Sequence, residues 1–350
     1  MNIDEFYLLR CIQLAKNGLG TTAPNPMVGA VLVQNGKIIG EGYTSAYGGP
    51  HAEVNAIESV SKTSLLPSAT LYVTLEPCSH FGKTPPCADV IIKHKIPKVV
   101  IGIQDPHDKV AGKGIKKLTE AGIEVHVGVL KKNCEEHHQR FLTYQTKNRP
   151  YIILKWAESA DGYLAPDTSK RHLRPEPYWI TNAYSRQLVH QWRSQEQAIL
   201  VGTNTVIKDN PSLTARDWKG KSPIRIILDR QLRLKPHQRI FKPDAPTIVV
   251  HDIQNTPLGF NGIDYEALDF NNDPIPQLCT MMHRRQITSV IVEGGAKTLQ
   301  SFIDNNLWDE ARIFKNDVVF KTGLKAPVRL GKVISKVQVL NDTLTILKND

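Results

Sequence analysis

Ala69-Thr70-Leu71-Tyr72-Val73-Thr74-Leu75 runs directly into Glu76-Pro77-Cys78-Ser79-His80-Phe81-Gly82-Lys83-Thr84-Pro85-Pro86-Cys87. The first seven residues form a short apolar run rich in β-branched and aromatic side chains, which predicts a strand, and the residues from Cys87 to His94 predict a helix. Upstream, His51-Ala52-Glu53-Val54-Asn55-Ala56 opens another predicted helix, from His51 to Val60. One imidazole (His51) and two thiolates (Cys78, Cys87) therefore fall at the junctions of strands and helices. They are good ligands for Zn2+, and three protein ligands leave a fourth position open for water. His51 and Cys87 sit at predicted helix starts, where the helix dipole favours a thiolate. Zinc lowers the pKa of bound water, and Glu53, two residues past a ligand, is placed to shuttle protons as the catalytic group without binding metal.

Working outward, Phe6, Leu9, Ile12 and Ala15 recur at helical spacing until Asn17-Gly18. Val28–Val33 and Lys37–Tyr43 flank Gln34-Asn35-Gly36, a strong hairpin signal because both central residues of such a turn need positive φ. Beyond the opening stretch, strand Lys98–Ile103, helix Gly114–Ala121 and strand Ile123–Val129 continue an α/β alternation with helices on the faces of a sheet. Residues 131–150 break the rhythm, and the domain boundary is read there, giving domains 1–147 and 148–350. A second α/β run follows. It has strands near Tyr151–Trp156, Ala198–Val201, Ile224–Leu228, Thr247–Val250 and Ser289–Val292, with helices near Ala183–Arg193 and Ala296–Asn305. No repeat relates the halves, so two different folds are expected.

A chain of 350 residues suits two domains, and 41% hydrophobic with 22% charged residues is ordinary for a folded protein. The start is acidic where a signal peptide is basic, and no apolar run reaches the roughly 18 residues of a membrane span, so secretion and a membrane are excluded as expectations. Five cysteines are odd in number and sparse, which argues against a disulfide scaffold and for a reducing, cytoplasmic setting. The net charge of +10 is uneven: residues 1–148 hold 16 Lys/Arg against 13 Asp/Glu and the rest 28 against 21. Basic excess suits phosphorylated small molecules as well as nucleic acid. No Lys/Arg stripe marks a nucleic-acid groove, and the one cluster, Lys170-Arg171-His172-Leu173-Arg174, reads either as a solvated loop or as a wall near a phosphate.

His-x-Glu followed by Pro-Cys and a second Cys is the signature of zinc deaminases, but here eight residues separate Cys78 from Cys87 instead of two. The alternatives are a structural zinc or an accidental grouping, and His80 reads as a loop residue or a fourth ligand. The long-spaced form resembles the deaminase domain of the bifunctional riboflavin-biosynthesis deaminase/reductase family. The resemblance rests on Pro24-Asn25-Pro26-Met27-Val28-Gly29-Ala30-Val31, the His51 and Cys78–Cys87 strings, Gln104-Asp105-Pro106 and Val110-Ala111-Gly112-Lys113-Gly114. It implies a cytidine-deaminase-like α/β/α domain that hydrolytically removes ammonia from 2,5-diamino-6-(5-phosphoribosylamino)pyrimidin-4(3H)-one. Matching positions make His51, Cys78 and Cys87 the metal ligands, Glu53 the proton shuttle, and Asn25 and Lys83 substrate contacts. His107 stands where the family usually has Asn.

Taken alone, the second half shows only an α/β domain with Ile291-Val292-Glu293-Gly294-Gly295 closing a strand before a helix, a geometry that can offer backbone N–H groups to a phosphate. No G-x-G-x-x-G follows a strand. The resemblance continues through Lys155–Gly162, Trp179-Ile180-Thr181, Ala198–Val206, Asp209–Arg216 and Val292–Gly295. It implies a dihydrofolate-reductase-like α/β domain that takes hydride from NADPH to open the ribosyl group to a ribityl chain. By position, Glu158, Trp179, Thr205, Asp209 and the turn Gly295, Ala296, Lys297, Thr298, Leu299, Gln300 and Ser301 would serve the cofactor. Arg193, Leu213, Arg216 and Glu293 would hold substrate. The family's short approach to Trp179 is replaced by a longer 163–178 segment that reads Pro175-Glu176-Pro177-Tyr178 before Trp179, so the serine that would meet substrate there is missing, and Arg230 stands where a small polar residue is common near the cofactor. A working deaminase with a weakened reductase is therefore the alternative. The resemblance also implies a homo-oligomer joined through the reductase domains. A nucleic-acid editing deaminase would need stacking surfaces that 7% aromatics do not supply, and a noncatalytic zinc protein would not need Glu53.

Overall fold

The computed structural model describes residues 2–81, 85–106, 111–167, 175–257, 259–328 and 330–349. They fall into two compact units, Met1–Asn148 and Arg149–Asp350. Among the described residues no helix is long and apolar enough to cross a membrane.

The first unit opens with α1 (Ile3–Ala15), closed by a capping box in which the Asn2 side chain accepts from the Glu5 N–H and the Glu5 carboxylate accepts from the Asn2 N–H. The hairpin β1 (Gly29–Gln34) and β2 (Lys37–Tyr43) turns through Asn35 and Gly36, both at positive φ, as the Asn-Gly signal requires. There follow α2 (Ala52–Glu58), β3 (Thr70–Leu75), α3 (Cys87–Lys93), β4 (Lys98–Ile103), α4 (Lys113–Glu120), β5 (Glu124–Val127) and α5 (Lys131–Lys147). The sheet order is β2-β1-β3-β4-β5, with β1 antiparallel to both neighbours and β3, β4 and β5 parallel. Helix α1 lies so close to β1 that a Cβ on Gly29 would stand 1.9 Å from the Cys11 carbonyl oxygen. Parallel pairing sends β3 and β4 into the core on both faces, so their residues are buried almost without interruption.

Residues 131–147 differ from expectation. They form a 17-residue helix that buries Cys134, His138, Phe141 and Thr143. Its exposed Lys and Glu residues hide a buried face spaced at four and three residues.

The second unit contains β6 (Tyr151–Glu158), β7 (Tyr163–Pro166), α6 (Ala183–Gln195), β8 (Ala198–Gly202), α7 (Thr203–Asp209), β9 (Ile224–Leu228), β10 (Thr247–Asp252), β11 (Ile263–Leu268), α8 (Pro274–Arg284), β12 (Ser289–Glu293), α9 (Ala296–Asp304), β13 (Glu310–Asn316), β14 (Gly323–Lys325), β15 (Lys332–Val339) and β16 (Asp342–Lys348). The large sheet runs β11-β10-β9-β8-β12-β6-β13-β16-β15; β7 and β14 pair separately. The sheet is parallel from β11 to β13 and closes with antiparallel β16 and β15. Strands β6, β8, β9, β10 and β12 lie where the sequence places them; α7, α8, β7, β11 and the strands after β12, among them the buried parallel β13, are additions. The C-terminal ends of β8, β9, β12 and β6 share one edge, the edge where open parallel sheets bind ligands.

Candidate active sites

In the first unit, His51 is the N-cap of α2, Glu53 lies in that helix's first turn, and Cys87 is the first residue of α3. Cys78 sits three residues beyond the end of β3. The chain thereby brings together His51 Nδ1 and the two Sγ atoms, which all lie within 4.8 Å of one another. His51 Nδ1 is 3.6 Å from Cys78 Sγ and 3.3 Å from Cys87 Sγ. Tetrahedral zinc, with Zn–N near 2.0 Å and Zn–S near 2.3 Å, sets N and S about 3.5 Å apart, so the donor set fits the ion in both spacing and chemistry. His80 is exposed and lies outside this group, which removes it as a fourth ligand.

Electrostatics divide the two thiols. Cys78 is pulled well below the usual thiol range by hydrogen bonds from the Cys87 thiol, the His51 ring and the Cys87 N–H, whereas Cys87 is pushed up by its bond to Cys78 and by burial. A metal-free pair thus shares one proton between its two sulfurs, and a dication would displace it. Glu53 is only 4% exposed. Burial first, and the Cys78 thiolate second, raise it to about 7, the range in which a carboxyl both takes and gives protons near neutral pH. A dication held by the three ligands would draw it down again.

Glu76, quoted above only as part of a string, has a defined job. Its buried carboxylate accepts from four backbone N–H groups: Asp105 (3.2 Å) and Gly112 (3.0 Å) on one oxygen, Gly114 (2.9 Å) and Ile115 (3.2 Å) on the other. This holds the start of α4 against the segment leading to Cys78. Gly114 is obligatory there, since a Cβ would lie 2.0 Å from the Pro77 carbonyl oxygen.

Asn25 is half-buried in the loop between α1 and β1, where its N–H donates to Thr22. That loop is tied to the residues entering His51 by Tyr47 N–H to Thr21 and by Thr44, which bonds Val28 in both directions. From α5, His137 reaches the Met27 carbonyl at 2.7 Å and His138 reaches Thr74 Oγ1 at 3.0 Å, contacts 110 and 64 residues long that no local pattern announces. Lys83, His107 and the 170–174 cluster lie outside the described residues.

In the second unit, Arg193 forks Glu293 with Nε at 3.0 Å and Nη2 at 2.8 Å, and Lys155 Nζ approaches the same carboxylate at 3.5 Å. Lys155 was not singled out by sequence. Parallel pairing of β6 with β12 sets it opposite Glu293, and only that register reveals it. Burial alone would raise Glu293, but Arg193 and Lys155 hold it down at about 2. Gly294 and Gly295 sit at φ +107 and +72, and Cβ atoms built there would meet Thr205 at 3.2 and 3.5 Å, the second also Thr298 at 3.5 Å. Thr205 and the entrance to α9 thus converge on one place. Asp209 lies one helical turn past Thr205 on α7.

The rest of the expected cofactor turn divides. Ala296, Lys297 and Thr298 form the first turn of α9, where backbone N–H groups lack helical partners. Leu299 is buried in the core, Gln300 accepts from Val328 and donates to Asp304, and Ser301 donates back to the Lys297 carbonyl. Trp179 is exposed, with the Arg186 guanidinium 5.0 Å from its ring. Glu158 is buried and accepts from Trp156 Nε1 at 2.9 Å. Arg216 is half-exposed, whereas the Leu213 side chain is core, so Leu213 offers a ligand its backbone alone. Arg230 follows β9 and is bound to Asp252 at 3.0 Å.

Two family descriptions match the chain: a cytidine and deoxycytidylate deaminase zinc-binding region over residues 1–103, and a RibD C-terminal domain over residues 150–320. The riboflavin biosynthesis protein RibD of Aquifex aeolicus is 42% identical over 92% of this chain and 89% of its own length. That of Escherichia coli K12 is 35% identical over 89% and 87%. Among solved structures, a diaminohydroxyphosphoribosylaminopyrimidine deaminase/5-amino-6-(5-phosphoribosylamino)uracil reductase from Thermotoga maritima superposes with a TM-score of 0.89 at 38% identity, covering 99% of each chain. Acinetobacter baumannii RibD gives 0.88 at 32%, again over 99% of each.

Proposed function

Because the chain belongs to the RibD family of riboflavin-biosynthesis proteins, we propose that its two units act in turn on one phosphoribosylated pyrimidine. The protein is a bifunctional enzyme of riboflavin biosynthesis, a zinc-dependent hydrolytic deaminase and a nicotinamide-dependent reductase. The first step replaces an amino group of 2,5-diamino-6-(5-phosphoribosylamino)pyrimidin-4(3H)-one by oxygen from water and releases ammonia. The second adds hydride and a proton to the ribosyl group of 5-amino-6-(5-phosphoribosylamino)uracil, giving the ribityl chain.

The grouping of His51, Cys78 and Cys87 beside buried Glu53 carries the reading. Zinc held by those three residues supplies a water acidified towards neutrality and an open fourth position. Glu53 takes the proton of the attacking water and passes it to the departing amine. Asn25 and Lys83 hold the pyrimidine and its phosphoribosyl group.

In the second unit NADPH is the donor, a reading supported by the N–H groups without helical partners at the start of α9, the opening made by Gly294 and Gly295, and the basic balance of this half. Trp179, Glu158, Thr205, Asp209 and the Gly295–Ser301 turn serve it. Arg193, Leu213, Arg216 and Glu293 hold the substrate, with Lys155 as a proton donor or electrostatic partner beside Glu293. A weakened reductase is not favoured, since full-length relatives match and the Lys155–Glu293–Arg193 group is complete. Edge strand β15 leaves Val333, Ile334 and Val337 exposed, which supports a homo-oligomer through this unit. The five unpaired cysteines support a cytoplasmic setting.

Glu53→Ala tests the deaminase half. The variant is expected to retain zinc and lose deamination; wild-type deamination in a zinc-loaded variant overturns the assignment.

A further inference from the structure

We propose that His190 is a positioning residue of the reductase site, fixing the Leu213–Asp217 segment so that Arg216 and the backbone at Leu213 meet the pyrimidine substrate. The proposal rests on the reading of that segment as substrate-holding. His190 stands on α6 one turn before Arg193, and its ring is buried. Nδ1 lies 2.9 Å from the Thr214 carbonyl oxygen and Nε2 3.0 Å from Asp217 Oδ2. A carbonyl can only accept, so Nδ1 carries a proton and donates; the Asp217 carboxylate likewise only accepts, so Nε2 bonds it when the ring is doubly protonated. Arg193, while forking Glu293, also sends Nη1 to the Thr214 carbonyl at 3.3 Å. Both lone pairs of one carbonyl are thus occupied by donors from one helix.

That carbonyl needs holding. Leu213 sits at φ +58 and Asn210 at φ +39, and a side-chain-bearing residue in the left-handed region persists only where its surroundings fix it. On one side Leu213 packs with Val201, Val206 and Ile227. From α6, His190 and Arg193 clamp the next residue. Asp217, the second partner of His190, also lines a cavity of about 300 Å³ with Tyr184, Arg186 and Gln187.

The test uses the full chain, 5-amino-6-(5-phosphoribosylamino)uracil and NADPH. His190→Ala, and His190→Met as a variant that keeps the volume, should raise KM for the pyrimidine roughly tenfold, the fold-change one lost hydrogen bond of this kind gives. KM for NADPH should stay within about twofold of wild type. His190→Asn, whose amide nitrogen falls at the Nδ1 position, should recover most of the loss. Arg216→Ala tests the segment itself: an unchanged pyrimidine KM there ends the substrate reading and this proposal with it. If Arg216→Ala raises that KM while the His190 variants leave it alone, move both KM values equally, or are not rescued by Asn, the proposal fails and the segment's role stands.

Discussion

Glu76→Gln changes one atom in the first unit and should disable it without touching a ligand. Each oxygen of Glu76 accepts two backbone N–H groups. An amide keeps one oxygen, so two of the four donors would face an NH2 group. Hydrogen bonds to a charged acceptor contribute about 1.5–3 kcal/mol each, and losing two costs roughly 3–6 kcal/mol. That is a large share of the roughly 5–15 kcal/mol a domain holds. In a unit of this size each kcal/mol moves Tm by about 2–4 °C, so the deaminase unit should melt roughly 6–24 °C earlier. The chain permits a clean assay: all five tryptophans, Trp156, Trp179, Trp192, Trp218 and Trp308, belong to the second unit. Zinc release to a coloured chelator follows the first unit, and tryptophan fluorescence follows the second. Zinc release should shift down while the fluorescence transition stays, with deamination falling alongside. An unchanged zinc-release temperature would refute the reasoning that this carboxylate holds the start of α4 beside Cys78.

Gly295→Val forces a β-branched residue into φ +72 beside Thr205 and Thr298; it should raise the apparent KM for NADPH roughly tenfold or more and leave deamination intact, as steady-state kinetics of both reactions will show. Wild-type kcat/KM should favour NADPH over NADH; equal values would remove the phosphorylated donor from the account. Glu293 has a depressed folded pKa of about 2 against roughly 4.3 unfolded, so its stabilisation is full above the unfolded value and is lost as pH falls through the folded one. Fluorescence-monitored melting of wild type should therefore decline from about pH 5 downward, and the gap to Glu293→Gln should narrow over that window.

The first unit was legible wherever chemistry sat in local strings. His51-Ala52-Glu53 and Pro77-Cys78 with Cys87 pointed to side chains that the fold does group together, and Asn35-Gly36 pointed to the hairpin, because each string is read from its immediate neighbours. Helix α5 was hidden because His138 and Thr143, which read as polar, supply part of its buried face. In the second unit the strand ends and Gly294-Gly295 were visible. Lys155 was not, for its meaning depends on Glu293, set opposite it by parallel pairing of strands far apart in sequence. His190 was missed for a related reason: its partners lie on a loop held at positive φ by packing. The antiparallel β15–β16 close carried an alternating pattern over residues 332–348 that was overlooked.

The two-step claim is tested most directly by giving purified zinc-loaded protein the diaminopyrimidine phosphoribosyl substrate and weighing the products, with and without NADPH. Without the dinucleotide, the mass of the deaminated ribosyl compound should accumulate; with it, that mass should give way to one heavier by a hydride and a proton. Cys87→Ser should block the first change yet still reduce the deaminated compound when it is supplied. An unchanged substrate mass in the wild-type protein, or loss of both reactions in a folded Cys87→Ser protein, would contradict two separate sites in one chain.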